Sequence, residues 1–369
     1  MQFVVTREAL LKPLQLVSGV VERRQTLPVL SNVLMNLEND ELSLTGTDLE
    51  VELVGRVKVE PGGKPGGITV PARKLVDICK SLSDDAVLDF SLSDEKLLIK
   101  SGRSRFTLTT LAAAEFPSVD DEPGTFSVTV EQSKLKELLE STSFAMAQQD
   151  VRYYLNGMLF EVAADYLRVV ATDGHRLAMQ TVPMKNELDG TQQLILPRKG
   201  IMELTRLIGE GTGELTLVFG SSHIRARMSE YTFTSKLVDG KFPDYNRVLP
   251  KGGNKNVIGE RQSLRQAFSR VSILSNEKYR GVRLLLSTGE LKILANNPEQ
   301  EEAEEVVSVG YEGDDLEIGF NVSYLIDVLT ALHSPNVRII LSDSNSSALI
   351  EAENGEVSEA LYVVMPMRL

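Results

Sequence analysis

The chain has 369 residues, which is too long for one ordinary hydrophobic core and predicts two or three domains. Its composition of 42% hydrophobic and 25% charged residues is typical of globular proteins, with no apolar run of the roughly 20 residues that a membrane span needs. The net charge of −13, taken as a whole, argues against nucleic-acid binding, because phosphate binding requires local positive potential.

The composition also limits the compartment and the chemistry. Residues 1–8 lack the basic flank, apolar core and cleavage site of a signal peptide, so we expect a cytoplasmic protein. Cys79 is the single cysteine, which excludes a disulfide framework and a cysteine cluster for zinc. The histidines at 175, 223 and 333 lack the spacing of metal ligands. We therefore expect no metal and no cofactor.

The first third of the chain predicts two successive groups of one strand, one helix and three strands. Apolar residues from Leu10 to Val21 recur at helical spacing, and Cys79 falls on the buried face of a second helix beside Leu75 and Val76. The loop at 61–67 separates the two groups, and an acidic loop at 116–124 ends the segment. The predicted strands are 3–6, 30–37, 41–45, 51–59, 68–70, 87–92, 96–101 and 105–111, and the second helix is 72–81.

The same order recurs twice more. Phe126 follows Phe3 by 123 residues, and Phe242 follows Phe116 by 126 residues. Residues 45–50, 171–178 and 295–300 each follow a short apolar run. This constant spacing predicts an α+β protein of three similar domains, at 1–124, 125–245 and 246–369, each built from two strand–helix–three-strand half-units. In the second and third segments we predict helices at 135–146, 200–208, 263–274 and 322–333, and strands at 126–130, 155–162, 166–171, 176–182, 282–287, 290–295, 302–309, 316–320, 337–342, 348–352 and 361–365.

Positive charge is concentrated in the predicted helices. The six helices with their flanks sum to +6, so the rest of the chain carries −19. If the helices share one side, that side would hold phosphates without distinguishing bases. The alternative is scattered, solvated charge on amphipathic helices.

Three features bear on the possibility of other chemistry. Asp173 and His175 could support acid–base catalysis together with a serine, although residues this close in a turn are more often local hydrogen-bonding partners. The glycine-rich residues 209–213 follow a helix and precede a strand, the wrong order for a dinucleotide site, and no phosphate-loop motif is present. The acidic run 299–305 could bind a cation, but we expect a solvated or partner-facing edge.

Seven motifs spread over the whole chain carry a resemblance to a known family. They are TLP at 26–28, LTGTDLE at 44–50, VPARK at 70–74, QDVRYYLNG at 149–157, ATDGHRL at 171–177, KLVDG at 236–240 and YVVMPMRL at 362–369. With these motifs in this order, the chain resembles the bacterial DNA polymerase III beta subunits, the replication sliding clamps. Residues 23–25 and the loop at 61–67 look like variable regions of that family.

The resemblance implies a DNA clamp fold and a head-to-tail dimer that closes a six-domain ring, with helices lining the hole and sheets outside. Such a ring encircles duplex DNA without sequence specificity and is a non-catalytic processivity factor, because it keeps the polymerase at high effective concentration. The implied partners are double-stranded DNA, a second copy of the chain, the replicative polymerase alpha subunit, the clamp loader, translesion polymerases and other proteins with clamp-binding linear motifs. An enzyme that uses Asp173 and His175, and an interaction scaffold unrelated to DNA, are the alternatives.

Three sites follow from the resemblance by matching position. A peptide-binding groove with an apolar slot and polar rim would consist of Leu155, Thr172, Gly174, His175, Arg176, Leu177, Pro243, Arg247, Val248, Asn321, Tyr324, Ser347, Val363, Val364, Met365, Pro366, Met367 and Arg368. The dimer interface would consist of Arg103, Arg105, Phe106, Leu108, Ile273, Leu274, Glu301, Glu302 and Glu305. The DNA-facing set would be Arg24, Arg73, Gln149, Tyr153, Tyr154 and Lys199, with packing at a strand edge as the alternative role for both tyrosines.

Overall fold

The computed structural model describes residues 1–21, 27–117, 119, 123–209, 212–353 and 360–368. The predicted order of one strand, one helix and three strands occurs six times, which confirms the α+β class. The first repeat contains β1 (Gln2–Thr6), α1 (Arg7–Val20), β2 (Asn32–Glu38), β3 (Glu41–Thr47) and β4 (Val51–Lys58), then β5 (Gly66–Pro71), α2 (Ala72–Ser81), β6 (Val87–Ser93), β7 (Lys96–Ser101), β8 (Ser104–Thr109) and the short β9 (Leu111–Ala112).

The second and third repeats follow the same course. The second contains β10 (Phe126–Glu131), α3 (Gln132–Thr142), β11 (Gly157–Val162), β12 (Tyr166–Thr172) and β13 (Arg176–Pro183), then β14 (Gln192–Pro197), α4 (Arg198–Ile208), β15 (Glu214–Phe219), β16 (His223–Arg227) and β17 (Tyr231–Lys236). The third contains β18 (Lys255–Glu260), α5 (Arg261–Val271), β19 (Gly281–Ser287), β20 (Glu290–Asn296) and β21 (Glu302–Ser308), then β22 (Leu316–Asn321), α6 (Val322–Ala331), β23 (Asn336–Leu341), β24 (Ala348–Ala352) and β25 (Leu361–Val364).

The two half-units of every repeat exchange their first strands. The first strand of one half-unit pairs with the three strands of the other, so that each repeat makes two antiparallel four-stranded modules. The modules have the strand orders β1-β6-β7-β8, β5-β2-β3-β4, β14-β11-β12-β13, β10-β15-β16-β17, β22-β19-β20-β21 and β18-β23-β24-β25. Each repeat is therefore interlocked by its own chain.

Four of the six modules join in pairs through their last strands. β4 pairs with β17 in a sheet of nine strands that includes β9, and β13 pairs with β25 in a sheet of eight strands. In the part of the chain that the structure describes, the last strands of the other two modules, β8 and β21, have a partner on one side only. These two strands are the exposed edges of two four-stranded sheets.

Contacts group the chain into two compact units that do not follow the three repeats. The first unit comprises Met1–Ser133 and Met202–Leu237 and holds the β1-β6-β7-β8 sheet and the nine-stranded sheet. The second comprises Lys134–Ile201 and Val238–Leu369 and holds the eight-stranded sheet and the β21-β20-β19-β22 sheet. This grouping follows from the joined modules, because each long sheet combines strands of two repeats.

Each helix is held to its sheet by an apolar stripe. In the first unit α1 packs on β3 and β4 and against α2, with Leu10, Leu14 and Val17 fully buried. In the second unit α5 packs on β20 and β21 and against α6. The Thr6 hydroxyl accepts a hydrogen bond from the Ala9 amide and caps the start of α1.

Several predicted boundaries were wrong for local reasons. Pro28–Ser31 forms a 3-10 turn, so the strand predicted from residue 30 begins at Asn32. Tyr153–Leu155 and Ser272–Leu274 are also 3-10 turns, which delays β11 and shortens α5. Strand β18 was not predicted, and α5 starts at Arg261 rather than 263.

Cys79 is a free, fully buried thiol on α2, as its position beside apolar residues predicted. Burial raises its pKa to about 11, because the charged thiolate would lose its water, and the opposing effect of the Arg7 charge is smaller. None of the helices described is long and apolar enough to cross a membrane.

Candidate functional site

The second unit contains a groove of about 520 Å³ with an apolar floor. Leu155, Leu177 and Val363 are almost fully buried members of one hydrophobic cluster that also contains Phe242 and Tyr245. The floor exists because β13 and β25 are neighbours, which places Leu177 opposite Val363. The groove is lined by Arg152, Leu155, Thr172, Gly174, Arg176, Leu177, Phe242, Pro243, Asp244, Tyr245, Arg247, Val248, Leu249, Pro250, Lys251, Ser342, Asn345, Ser346, Ser347, Val363 and Met365.

The turn between β12 and β13 forms one side of the groove and is built from local hydrogen bonds. The Asp173 carboxylate accepts from the His175 amide at 2.9 Å and the Arg176 amide at 3.0 Å. The Thr172 hydroxyl donates to the Arg176 carbonyl at 2.6 Å, and Gly174 adopts a φ of +91°. The Asp173 carboxylate is therefore used to shape the turn.

The first repeat contains the same turn without a histidine. Asp48 accepts from the amides of Glu50 and Val51, and the Thr47 hydroxyl donates to the Val51 carbonyl. Leu49 has a φ of +78°, close to that of the glycine in the second repeat. Because the bonding pattern recurs where no imidazole is present, the aspartate in both turns has a structural role, not an acid–base role.

Arg176 connects the turn to α6 and to the 3-10 turn that follows α3. Its guanidinium donates to Asp173 at 3.1 Å, to Asp327 at 2.5 Å and to the Phe144 carbonyl at 2.7 Å. It also lies over the Tyr324 ring, 4.5 Å from the centroid. With these contacts and only 13% of its side chain exposed, Arg176 links the turn to α6 while it also lines the groove.

A second arginine, Arg152, lines the groove and was not predicted. Its guanidinium donates to the Asp150 carboxylate at 2.8 Å and 3.0 Å, and to the Asp173 carbonyl at 3.3 Å. The hydrogen bond from Arg152 lowers the pKa of Asp150 to about 2. A Cβ on Gly174 would lie 3.1 Å from the Arg152 guanidinium, so glycine provides the space for it. The only sequence signal for Arg152 was its place inside the 149–157 motif.

The chain after β25 crosses from one part of the second unit to another. The Met365 amide donates to the His175 carbonyl at 2.9 Å, and the Met367 amide donates to the Gly319 carbonyl at 2.8 Å. The Met365 side chain lines the groove and is 46% exposed. The terminal segment is therefore held to the unit by backbone hydrogen bonds at two points, with Met365 in the groove and Met367 beyond it at β22.

The structure brings most of the predicted groove residues together. Those that line it are Leu155, Thr172, Gly174, Arg176, Leu177, Pro243, Arg247, Val248, Ser347, Val363 and Met365. Those that do not line it are His175, Asn321, Tyr324, Val364, Pro366, Met367 and Arg368. The unpredicted lining residues are Arg152, Phe242, Asp244, Tyr245, Leu249, Pro250, Lys251, Ser342, Asn345 and Ser346, of which the segment around Phe242 was visible as a repeated Phe-Pro motif.

The predicted DNA-facing residues are divided between the units. Arg24 lies outside the described residues, and Arg73 is exposed on α2, 3.9 Å from Asp77. In the second unit Gln149 is exposed with a φ of +56°, and Lys199 lies at the start of α4.

The two tyrosines of that set differ in exposure. Tyr153 is 56% exposed and lies edge-on to Tyr154, with ring centroids 5.9 Å apart. Tyr154 packs against the hydrophobic cluster of the groove floor. The strand-edge role considered for them is wrong in its secondary structure, because both belong to the 3-10 turn Tyr153–Leu155. Tyr153 is the one whose ring is available to a partner.

The predicted interface residues belong to the two free sheet edges or their neighbourhood. Arg103 and Arg105 are exposed at β8, where Phe106 is partly buried and Leu108 is buried. In the second unit Ile273 is 75% exposed, while Leu274 is partly buried.

The acidic residues at the start of β21 have different environments. Glu301 and Glu302 are exposed, and Glu301 accepts a hydrogen bond from the Asn297 amide group at 2.6 Å. Glu305 is bonded to Arg270 on α5, which lowers the pKa of the Glu305 carboxyl. The described residues contain no group of three or more histidine, cysteine, aspartate or glutamate side chains placed to hold a metal ion.

Comparison with known proteins gives matches along the whole chain. Residues 1–120, 129–244 and 246–368 match the family models of the N-terminal, central and C-terminal domains of the DNA polymerase III beta subunit. The beta sliding clamp of Pseudomonas putida is 65% identical over 369 residues, and that of Escherichia coli K12 is 54% identical over 369 residues, with 100% of both chains covered in each case. A crystal structure of a Pseudomonas aeruginosa sliding clamp (DNA polymerase III subunit beta) bound to griselimycin is 64% identical, covers 100% of both chains and has a TM-score of 0.97.

Proposed function

Because the chain belongs to the DNA polymerase III beta subunit family, we propose that two copies of it close head to tail into a ring around duplex DNA. The chain has the three-domain α+β clamp fold and is a sliding clamp, a non-catalytic processivity subunit of the polymerase. We further propose domain limits at 1–124, 125–245 and 246–369 and a cytoplasmic location.

The observation that best supports the proposed ring is that, among the described residues, strands β8 and β21 each have one unpaired edge. In both long sheets, modules join through their last strands, β4 with β17 and β13 with β25. The same rule pairs β8 of one copy with β21 of a second copy. Because β8 and β21 are unlike surfaces, their contact is head to tail; two copies form two equal seams and a closed ring when each seam turns the next copy through half a turn, as we propose here. Pairing these edges also removes two exposed templates for aggregation.

The side chains at these edges suit each other. Exposed Arg103 and Arg105 beside β8 are complementary in charge to Glu301 and Glu302 at β21. Exposed Ile273, with the partly buried Leu274 and Phe106, supplies an apolar centre for the seam, whereas Leu108 is buried within its own chain. Glu305 contributes indirectly, because it is held by Arg270 within its own chain.

Sliding requires weak contacts to phosphates that do not depend on base sequence. Arg73 on α2 is exposed and Lys199 on α4 is partly buried. Both belong to the basic helices, and Arg24 belongs to the same predicted set. Cationic side chains on helices attract the phosphates of a duplex whatever its base sequence. The acidic strands of the chain repel phosphates. Gln149 and Tyr153 would touch the sugar or exposed bases of the strand.

The groove would bind the linear motifs of the proteins that the clamp tethers. Its apolar floor of Leu155, Leu177 and Val363 accepts apolar anchors of an extended peptide, and Arg247 on the rim offers a donor. The partners would be the replicative polymerase alpha subunit, the clamp loader and translesion polymerases. They would compete, because each would occupy the same floor.

Deleting residues 365–369 tests the groove. The deletion removes Met365 from the groove lining. It also removes the terminal backbone that is hydrogen-bonded to His175 and Gly319. We expect binding of a polymerase alpha-subunit peptide to be lost while ultracentrifugation still shows the dimer. Unchanged peptide affinity would show that the groove is misassigned.

Loading on circular DNA tests the ring. The clamp loader is used to place labelled protein on a nicked circular plasmid, which is isolated and then cut once with a restriction enzyme. A topologically linked ring stays on the circle in high salt and is lost from the linear molecule through its ends. Equal retention on both DNA forms would refute encirclement, and no retention on either would favour a scaffold unrelated to DNA.

A further inference from the structure

A row of four polar side chains crosses the central sheet of the second unit. Gln193, Glu161, Arg168 and Thr181 are cross-strand neighbours on β14, β11, β12 and β13. Gln193 donates to Glu161 at 2.6 Å, Arg168 donates to Glu161 at 3.2 Å, and Arg168 donates to Thr181 at 2.9 Å. Four adjacent strands are thus tied by one continuous hydrogen-bonded row.

Tyr245 is bonded to the two charged members of this row. Its hydroxyl donates to Glu161 at 2.8 Å and accepts from Arg168 at 3.0 Å, and Tyr166 adds another bond to the same carboxylate. Glu161 is only 5% exposed. Burial acts to raise the pKa of Glu161, but the hydrogen bonds from Gln193, Tyr245 and Tyr166 and the charge of Arg168 lower it overall, so the carboxylate stays ionised.

The Tyr245 hydroxyl is the polar anchor of one groove wall. The wall is the segment 242–251, of which Phe242 and Tyr245 also belong to the floor cluster. Across the residues described, every other hydrogen bond of this segment is local, made by Asp244 with Asn246 and Arg247 or within the 3-10 turn. Phe242 and Tyr245 pack within the floor cluster and Leu249 packs against it, and apolar contacts of this kind are not directional.

We propose that Glu161 and Arg168 are positioning residues for the groove, which hold Tyr245 and through it the wall 242–251 in the position that accepts a peptide. The inference rests on the proposed peptide-binding role of the groove. A buried ion pair is weak evidence for a stabilising role, because apolar replacements are often neutral. The stability of the fold alone therefore does not explain this buried pair, whereas a role in holding Tyr245 does.

The test measures binding by the full-length folded protein at 25 °C. A fluorescent peptide copied from the clamp-binding motif of the polymerase alpha subunit is titrated with wild type, Tyr245→Phe, Glu161→Gln and Glu161→Leu. We expect Tyr245→Phe to weaken the affinity about tenfold, the effect of losing one good hydrogen bond. Glu161→Leu should have the same effect, while Glu161→Gln, which keeps an oxygen for the tyrosine, should recover part of the loss.

A matched control separates positioning from stability. Arg338 and Glu351 form a cross-strand ion pair of 3.2 Å on β23 and β24 of the same sheet, and neither residue lines the groove. Arg338→Met should leave peptide affinity unchanged. In Tyr245→Phe, hydrogen exchange at residues 246–249 should speed up, and in Arg338→Met it should not.

The outcomes distinguish this inference from the function on which it rests. If wild type fails to bind the peptide, the groove assignment itself is wrong. If wild type binds and Tyr245→Phe and Glu161→Leu bind equally well, the positioning role is refuted and the groove assignment stands. If Arg338→Met weakens binding as much as Tyr245→Phe does, the effect is general destabilisation and the positioning role is again refuted.

Discussion

Ile273 provides the most direct test of the proposed seam between two copies. It lies in the 3-10 turn after α5 and is 75% exposed in the single chain, so a second copy can bury most of its apolar surface. Burying such a side chain contributes about 2 kcal/mol, and Ile273→Ala removes most of that. A head-to-tail ring contains two identical seams, so the loss is about 4 kcal/mol for each ring, or about a thousandfold in the dissociation constant.

The assay is sedimentation velocity over a dilution series from micromolar to low nanomolar, with a fluorescent label for the dilute samples. Val151→Ala is the matched control, because Val151 is 95% exposed, β-branched and outside the proposed seam. It should leave the dimer unchanged. Adding Leu274→Lys to Ile273→Ala places a charge in the seam and should give monomers even at micromolar concentration.

The result that refutes the reasoning is also clear. A dissociation constant of Ile273→Ala within about threefold of wild type would mean that Ile273 stays exposed in the dimer. A loss of only about thirtyfold would indicate one seam in place of two, and hence an open dimer.

Three further predictions concern the fold. Cys79 keeps its proton to about pH 11 when folded but only to about 9 when unfolded, so its contribution to stability is lost as pH rises from 9 to 11. Over this range, unfolding free energies of wild type should fall relative to Cys79→Ala by about 1.4 kcal/mol for each pH unit. Gly46→Ala would place a Cβ 2.6 Å from the Val17 carbonyl of α1 and should lower stability by about 3 kcal/mol in urea denaturation. Arg176→Met leaves Asp327, which is 42% exposed, without its partner and should speed hydrogen exchange in α6 by an amount equal to about 1 kcal/mol, and unchanged exchange would show that this contact is dispensable.

Local periodicity predicted most of the secondary structure. Helix α2 and strand β7 have the predicted limits, because their apolar residues follow one period without interruption. The errors occur where a short 3-10 turn precedes or follows an element, as at Pro28–Ser31 and Ser272–Leu274. Strand β18 was missed because its buried positions are only Val257 and Gly259, too few to signal alternation.

Pairing between distant segments was beyond what the sequence pattern could predict. The exchange of first strands within each repeat depends on which strands meet in space. Because the strands of both half-units have similar patterns of apolar and polar residues, the sequence does not show which module a first strand joins. In the groove, the matching motif located Leu155, Leu177 and Val363, whereas Tyr245 bonds a carboxylate 84 residues away. Arg176 likewise meets an aspartate 151 residues later, and no local pattern marks either pair.

The exchange of first strands sets the smallest fragment of this protein that can fold with complete sheets. A half-unit cut from the chain would hold three strands of one sheet and a fourth strand that belongs to another, so it would leave one sheet incomplete and one strand without a site. A whole repeat is thus the smallest piece in which every strand finds its module.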